Sequence, residues 1–222
     1  MYFVLFISIA LLSWAVSALL DHRFKKYAKV YLPITGREVA EKMLRDNGIY
    51  DVQVTCTPGH LTDHYDPRNK TVNLSEAVYS SNNVAAADVE EHECGHAVQH
   101  AFSYGPLNIR SALVPVVNFA SQWVTWILLG GILMVETFPQ LLLVGIILYA
   151  LTTLFAFITL PVEINASRRA IAWLEQSGIT DYQTTSMASS ALRSAAYTYV
   201  VAALSSLGTL IYYILIFTSR RD

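Results

Sequence analysis

The stretch "EEHECGHAVQH", Glu90–His100, decides how this chain is read. It carries three of the six histidines, spaced four residues apart. On a helix, His92 and His96 fall one turn apart on one face, and two imidazoles at that spacing can hold one tetrahedral Zn²⁺. Glu93 then sits beside the metal without pointing at it. There it can take a proton from a water whose pKa the metal lowers towards ~7. The alternative is a solvated polar helix that merely carries histidines. Cys94 lies roughly 200° around the axis from His92 and reads as a small buried residue, not a ligand. His100 is ~12 Å along the axis from His92, too far to share a metal held by the other two. It reads as a cap or a supporting partner.

Outward from that stretch the chain is apolar. Of its 222 residues, 54% are hydrophobic and 14% charged, too apolar for an ordinary soluble domain. Four segments approach the ~20 residues needed to span a bilayer: Tyr2 to Leu20, Ala112 to Val135, Leu141 to Leu160 and Ala195 to Thr218. The short "ETFPQ" turn makes the middle two a hairpin. "AVSA" in the first segment is a passable cleavage site. However, no basic residue precedes its apolar run, and Arg23, Lys25, Lys26 and Lys29 follow it. An uncleaved anchor is expected. Regions 21–111 and 161–194 then share one face and hold 13 of the 15 Lys and Arg residues, Arg220 and Arg221 being the others. The positive-inside rule puts both regions in the cytoplasm and both termini outside. The "NKT", "NLS" and "NAS" sequons then never meet glycosylation machinery. A net charge of −2 gives no reason to expect nucleic acid, and two cysteines make no disulfide framework.

The expected layout is an anchor (1–20), a cytoplasmic region with the motif helix (21–111), a transmembrane hairpin (112–160), a second cytoplasmic segment (161–194) and a last transmembrane helix with a short tail (195–222). Within the first cytoplasmic region, "TGREVAEKMLRDNG" reads as a helix capped by Thr35, with Val39, Met43 and Leu44 on its apolar face and Gly48 at its end. "DVQVTCT" alternates like a strand. "GHLTDHY" and "KTVNLS" flank the turn "DPRN" as a hairpin. Asn82 or Asn83 caps the motif helix, about Val84 to Phe102. "NASRRAIAWLEQSG" reads as a short helix closed by Gly178, and Asp181 caps a helix running into the fourth span.

A catalytic zinc usually takes three protein ligands and keeps one position open. Glu163 is the strongest candidate for the third. It follows Pro161 at the end of the third span, on the same side as the motif helix. The alternative for Glu163 is an interfacial carboxylate paired with Arg168 or Arg169, and His60 or His64 could supply the ligand instead. In zincins generally, an edge strand beside the active-site helix pairs with substrate backbone. By that analogy the hairpin offers the strand, and His60 or His64 could polarise the scissile carbonyl. Tyr197 and Tyr199 could also donate to an oxyanion, although tyrosines near span ends are mostly interfacial anchors.

"GHLTDHYDPRNKTVNLSE", "HECGHAVQHA" and "LPVEINASRRA" resemble the signature blocks of the YugP-type neutral zinc metallopeptidases of bacterial membranes. The resemblance runs from about residue 50 to the fourth span. It implies His92 and His96 as zinc ligands and Glu93 as catalytic. "EINAS" also resembles the E-x-x-x-A motif of gluzincin membrane proteases such as the CAAX prenyl protease and HtpX groups, which implies Glu163 as third ligand. Those groups usually have Asp after the small residue, where this chain has Ser167 and then Arg168. The partner that such an Asp provides must come from elsewhere, with Asp88, Asn165 and His64 as candidates.

The expectation is an α-helical integral membrane protein with about four transmembrane helices and a small α+β zincin-like cytoplasmic domain. It would act as a Zn²⁺-dependent endopeptidase of the bacterial plasma membrane on membrane or membrane-proximal proteins. One rival is a non-catalytic membrane scaffold that retains a zinc site, against which an intact Glu93 argues. A metal transporter or sensor would place ligands within the spans, yet all six histidines lie outside them. Small residues in the spans, such as Gly130–Gly131, permit helix packing within or between chains, so a homo-oligomer or membrane partner is open.

Overall fold

Local capping starts the helices of the polar part. The Thr35 side chain accepts from the Glu38 N–H while Glu38 reaches back to the Thr35 N–H, a reciprocal capping box. The resulting helix, α2 (Gly36–Asp46), buries Val39, Met43 and Leu44 and gives way to Gly48 at φ +72°. Asn83 Oδ1 accepts from the Ala86 N–H at 2.9 Å and opens the motif helix, α4 (Val84–Ala101). The computed structural model describes residues 2–59 and 62–219. Its other elements are α1 (Tyr2–Tyr27), β1 (Gln53–Thr57), β2 (His64–Asp66), β3 (Thr71–Ser75), α3 (Glu76–Tyr79), α5 (Gly105–Leu133), α6 (Pro139–Ser177) and α7 (Tyr182–Ser219).

Helix α4 is the centre of the polar part. Thirteen of its 18 residues are buried, so the solvated-face alternative for the motif does not hold. One flank lies on α2, where Cys94 Sγ meets the Ala40 carbonyl at 3.7 Å, turned away from His92 as its position on the helix requires. Another lies on α6. The expected hairpin forms: β2 and β3 pair antiparallel, and Asp66 Oδ1 closes the turn on the Arg68 N–H at 2.8 Å. β1 joins on the far side of β3 in parallel, Gln53 opposite Thr71. The sheet order is β1-β3-β2, leaving β2 as an edge beside α4.

Among the described residues, four helices, α1, α5, α6 and α7, are long and apolar enough to cross a membrane. Trp14, Phe119, Trp126 and Ile147 lie exposed on their outer faces, a surface that lipid would cover. α5 and α6 approach closely at Gly131, where a Cβ would sit 2.6 Å from Leu142 Cα. α6 and α7 share a Thr153–Ser206 hydroxyl contact at 2.7 Å.

The helices differ from the expected spans in extent. α5 starts at Gly105, before Ala112. α6 runs unbroken through Pro161 to Ser177, closed by left-handed Gly178, so the third span and the expected short helix after it are one element. Its 39 residues reach ~58 Å at 1.5 Å per residue, against ~30 Å of hydrocarbon. Pro161 removes one intrahelical hydrogen bond, a penalty of ~3 kcal/mol in a helix interior. α4 grips α6 directly after the proline: Gln99 Nε2 donates to the Val162 carbonyl at 2.8 Å.

Candidate metal centre

His92 and His96 project from α4 with ring centroids 4.9 Å apart. Glu163 of α6 meets them from the facing helix. Its Oε2 lies 3.0 Å from His92 Nε2 and 3.5 Å from His96 Nε2. The ligand atoms of the three residues all fall within 4.8 Å of one another. Tetrahedral ligands 2.0–2.2 Å from a zinc ion are about 3.3–3.6 Å apart; two imidazole nitrogens and one carboxylate oxygen fit that ion in type, and the two Glu163 separations lie close to that spacing. The helix contact that brings them together needs Gly95. A Cβ there would lie 2.7 Å from the Ala166 carbonyl oxygen of α6.

Hydrogen bonds fix which ring nitrogens face inward. Gln99 gives its Nε2–H to the Val162 carbonyl and to Asn165 Oδ1, at 2.8 and 3.0 Å, so its Oε1 is the atom facing His96. His96 Nδ1–H therefore donates to Gln99 Oε1 at 3.0 Å, and the Nε2 lone pair points at the Glu163 carboxylate. An acceptor facing an acceptor requires a proton or a metal ion between them. His92 Nδ1 meets Ser167 Oγ at 3.2 Å. Arg110 of α5 binds the other Glu163 oxygen, Nη1 to Oε1 at 3.2 Å. Glu163 is only 2% exposed, and its guanidinium partner is Arg110 in place of the expected Arg168 or Arg169.

Among the described residues, none of the three considered as the histidines' supporting partner hydrogen-bonds a ring of His92 or His96. Ser167 itself holds His92. Asn165 stands one step back, binding Gln99 and accepting from Arg169 Nε at 2.8 Å. Both carboxyl oxygens of buried Asp88 lack a hydrogen-bond partner among the described residues. Exposed His64 donates through Nδ1 to the Thr62 carbonyl at 2.7 Å and accepts at Nε2 from Asn73 at 3.2 Å, so both its nitrogens are engaged. His60 lies outside the described residues. Gln99 and Arg110 were missed by sequence reasoning. The signal for Gln99 was its place three residues after His96, on the same helix face. Arg110 carried none beyond an interfacial charge.

Glu93 faces β2. The Tyr65 N–H donates to Glu93 Oε2 at 2.9 Å, so the free edge of β2 is turned towards the cluster. Burial pushes the Glu93 carboxyl above its ordinary value, helped by Glu163 and opposed by the two histidines and the Tyr65 N–H. The Tyr65 phenol, pushed up to about 12 mainly by burial, stays protonated and donates to His100 Nδ1 at 2.9 Å. His100 thus supports the strand and stands outside the ligand cluster. A cavity of about 400 Å³ opens over these groups. Its walls come from β2 on one side and from Leu107, Val114, Phe155 and Tyr199 of the long helices on the other. Tyr199 lines this cavity and Tyr197 does not.

A family model described as "Putative neutral zinc metallopeptidase" matches residues 2–218. A protein of Bacillus subtilis (strain 168) named "Putative membrane protease YugP" is 44% identical over 201 residues, covering 90% of this chain and 88% of that one. No solved structure matches the chain.

Proposed function

The chain belongs to the neutral zinc metallopeptidase family, and from that membership we propose that it is a membrane-embedded zinc endopeptidase with His92, His96 and Glu163 as metal ligands and Glu93 as general base. The observation that carries the reading is the meeting of Glu163 Oε2 with both Nε2 atoms, at 3.0 and 3.5 Å, across two helices. His92, His96 and Glu163 would hold a zinc ion that would supply Lewis acidity to the attacking water and the scissile carbonyl. Glu93 takes the proton of that water and passes it to the leaving amine. The Tyr65 N–H fixes one Glu93 oxygen and leaves the other free for the transfer. Arg110 and Ser167 hold Glu163 and His92 in place. With the Tyr65 N–H taken by Glu93, the rest of the β2 edge pairs with an extended substrate. Both His64 nitrogens are engaged, and Tyr199, which lines the same cavity hydrogen-bonded to Glu163, would have to turn from that carboxylate to donate to the developing oxyanion.

The substrate is a peptide held at the membrane. What supports this is the cavity wall, shared between the small sheet and helices apolar enough to cross a bilayer. The charge bias puts the zincin-like polar part and its active site on the cytoplasmic side of a multi-pass protein.

The test is zinc content of detergent-purified protein, followed by cleavage of a membrane-anchored peptide. About one zinc per chain is expected in wild type, His100→Ala and Glu93→Gln, and little in Glu163→Ala. Glu93→Gln is expected to lose at least ~10²-fold in turnover. Full zinc in Glu163→Ala would pass the third ligand to another residue. Zinc bound with no loss of turnover in Glu93→Gln would remove the proposed general base.

A further inference from the structure

Away from the metal centre, a polar cavity of about 810 Å³ lies where α1, the end of α6 and the start of α7 meet. Arg23, Glu175, Asp181 and Arg193 line it, with α7 hydroxyls between them. A second cavity of about 400 Å³ runs on between α6 and α7 past Ile171, Ala196 and Val200; it is mainly apolar, with Arg168 in its wall two helical turns from Glu175 and away from the charged end. Glu175, Arg193 and Tyr197 line both, so the two join into one cleft with a charged end and an apolar end. Arg23 follows the apolar run of α1 and Arg193 precedes that of α7, so the charged end sits at the level of a membrane surface.

The charges at that end are not all used by the fold. Asp181 is taken up capping α7, accepting from the Thr184 N–H at 2.8 Å. Arg23 gives Nη1 to the Ser190 carbonyl at 2.8 Å and to the Ser194 hydroxyl, which orients its guanidinium and leaves its other nitrogens free. Arg193 and Glu175 make no ion pair among the described residues. Two guanidinium groups beside one unspent carboxylate match a phosphate joined to an ammonium. A purely anionic head would leave Glu175 without a cationic partner.

We infer that this cleft binds a zwitterionic phospholipid with an ethanolamine-type head, its phosphate on Arg23 and Arg193, its ammonium on Glu175 and one acyl chain in the apolar end. Charge-assisted hydrogen bonds to both ends of the head give the selectivity, and basic pockets at helix ends are suited to lipid phosphates. The apolar cavity also touches Ser167, the partner of His92, so the lipid would sit one residue from the metal centre.

The experiment is native mass spectrometry of delipidated, detergent-solubilised full chain, titrated with phosphatidylethanolamine, phosphatidylcholine and phosphatidylglycerol of the same acyl chains. One phosphatidylethanolamine per chain is expected, about tenfold tighter than either of the others. Arg193→Gln, at an exposed position with no hydrogen bond or ion pair among the described residues, is expected to weaken it about tenfold with zinc content unchanged. Glu175→Gln is expected to erase the preference over phosphatidylcholine. Tightest binding of phosphatidylglycerol, or affinity indifferent to Arg193→Gln, overturns the site. Equal binding of glycerophosphoethanolamine or inorganic phosphate overturns the lipid assignment. Competitive displacement by a membrane-anchored peptide substrate makes the cleft a peptide groove instead. Zinc content reads the metal centre separately, so failure of either assignment is distinguishable from failure of the other.

Discussion

Gly95→Ala tests the contact on which the metal centre depends. Glycine in a helix interior costs about 1 kcal/mol relative to alanine. If nothing pressed on position 95, the substitution would stabilise α4. The Cβ would instead stand 2.7 Å from the Ala166 oxygen and 3.1 Å from both its Cα and its carbonyl carbon. These are backbone atoms of α6 and cannot rotate away. Restoring a tolerable separation of about 3.0–3.4 Å moves α6 outward by about 0.3–0.7 Å, and overpacking of this kind costs roughly 1–3 kcal/mol. Glu163 rides on α6 one turn from Ala166, so its carboxylate retreats from His92 and His96 by a similar amount. Metal sites hold their ligand distances to about ±0.2 Å.

The expected result is a loss of zinc affinity together with a melting temperature that is unchanged or lower. The assay is zinc content after gel filtration, paired with melting of chelator-stripped and zinc-loaded protein in one detergent. Zinc at 100 times its dissociation constant stabilises by about 2.7 kcal/mol, so the zinc-dependent increment should shrink in the variant. A Gly95→Ala protein that melts higher than wild type and keeps the full increment would refute the close approach and the way Glu163 is held.

Ser167→Ala leaves His92 Nδ1 without its partner and is expected to lower zinc affinity roughly 10–100-fold, read by competition with a chelator. No change would mean that the hydroxyl does not orient the ring. Tyr65→Pro removes the N–H that holds Glu93 but is compatible with an edge strand. It should retain zinc and lose about tenfold or more in turnover, while Tyr65→Phe stays near wild type; equal loss in both would shift the role to the phenol. Burial raises the Asp88 carboxyl well above its ordinary value. The folded state then binds a proton that the unfolded chain releases, so this group's contribution is favourable at acid pH and is lost as pH rises past the ordinary carboxylate range. Asp88→Asn should therefore raise the melting temperature more at pH 8 than at pH 5. A loss of stability at both would mean that the ionised carboxylate has a partner in the fold.

Which features could be read in the sequence follows from the range of the interactions behind them. Thr35, Asn83, Asp181 and the Asp66 turn act within four residues, and each does locally what its side chain dictates. The apolar runs identify the long helices but not their ends. Pro161 signals a stop, and α6 continues because Gln99 and Gly95 grip it from another helix. The parallel pairing of β1 with β3 is also non-local; alternation gives a strand but not its neighbour. The metal centre divides in the same way. Helical period alone puts His92 and His96 on one face. Glu163 reaches them from 71 residues away, through a contact whose only mark in the sequence is the glycine inside HECGH. That glycine is not a spacer between ligands. By omitting one side chain it sets the distance between the two helices, and so decides whether the two histidines meet a third ligand.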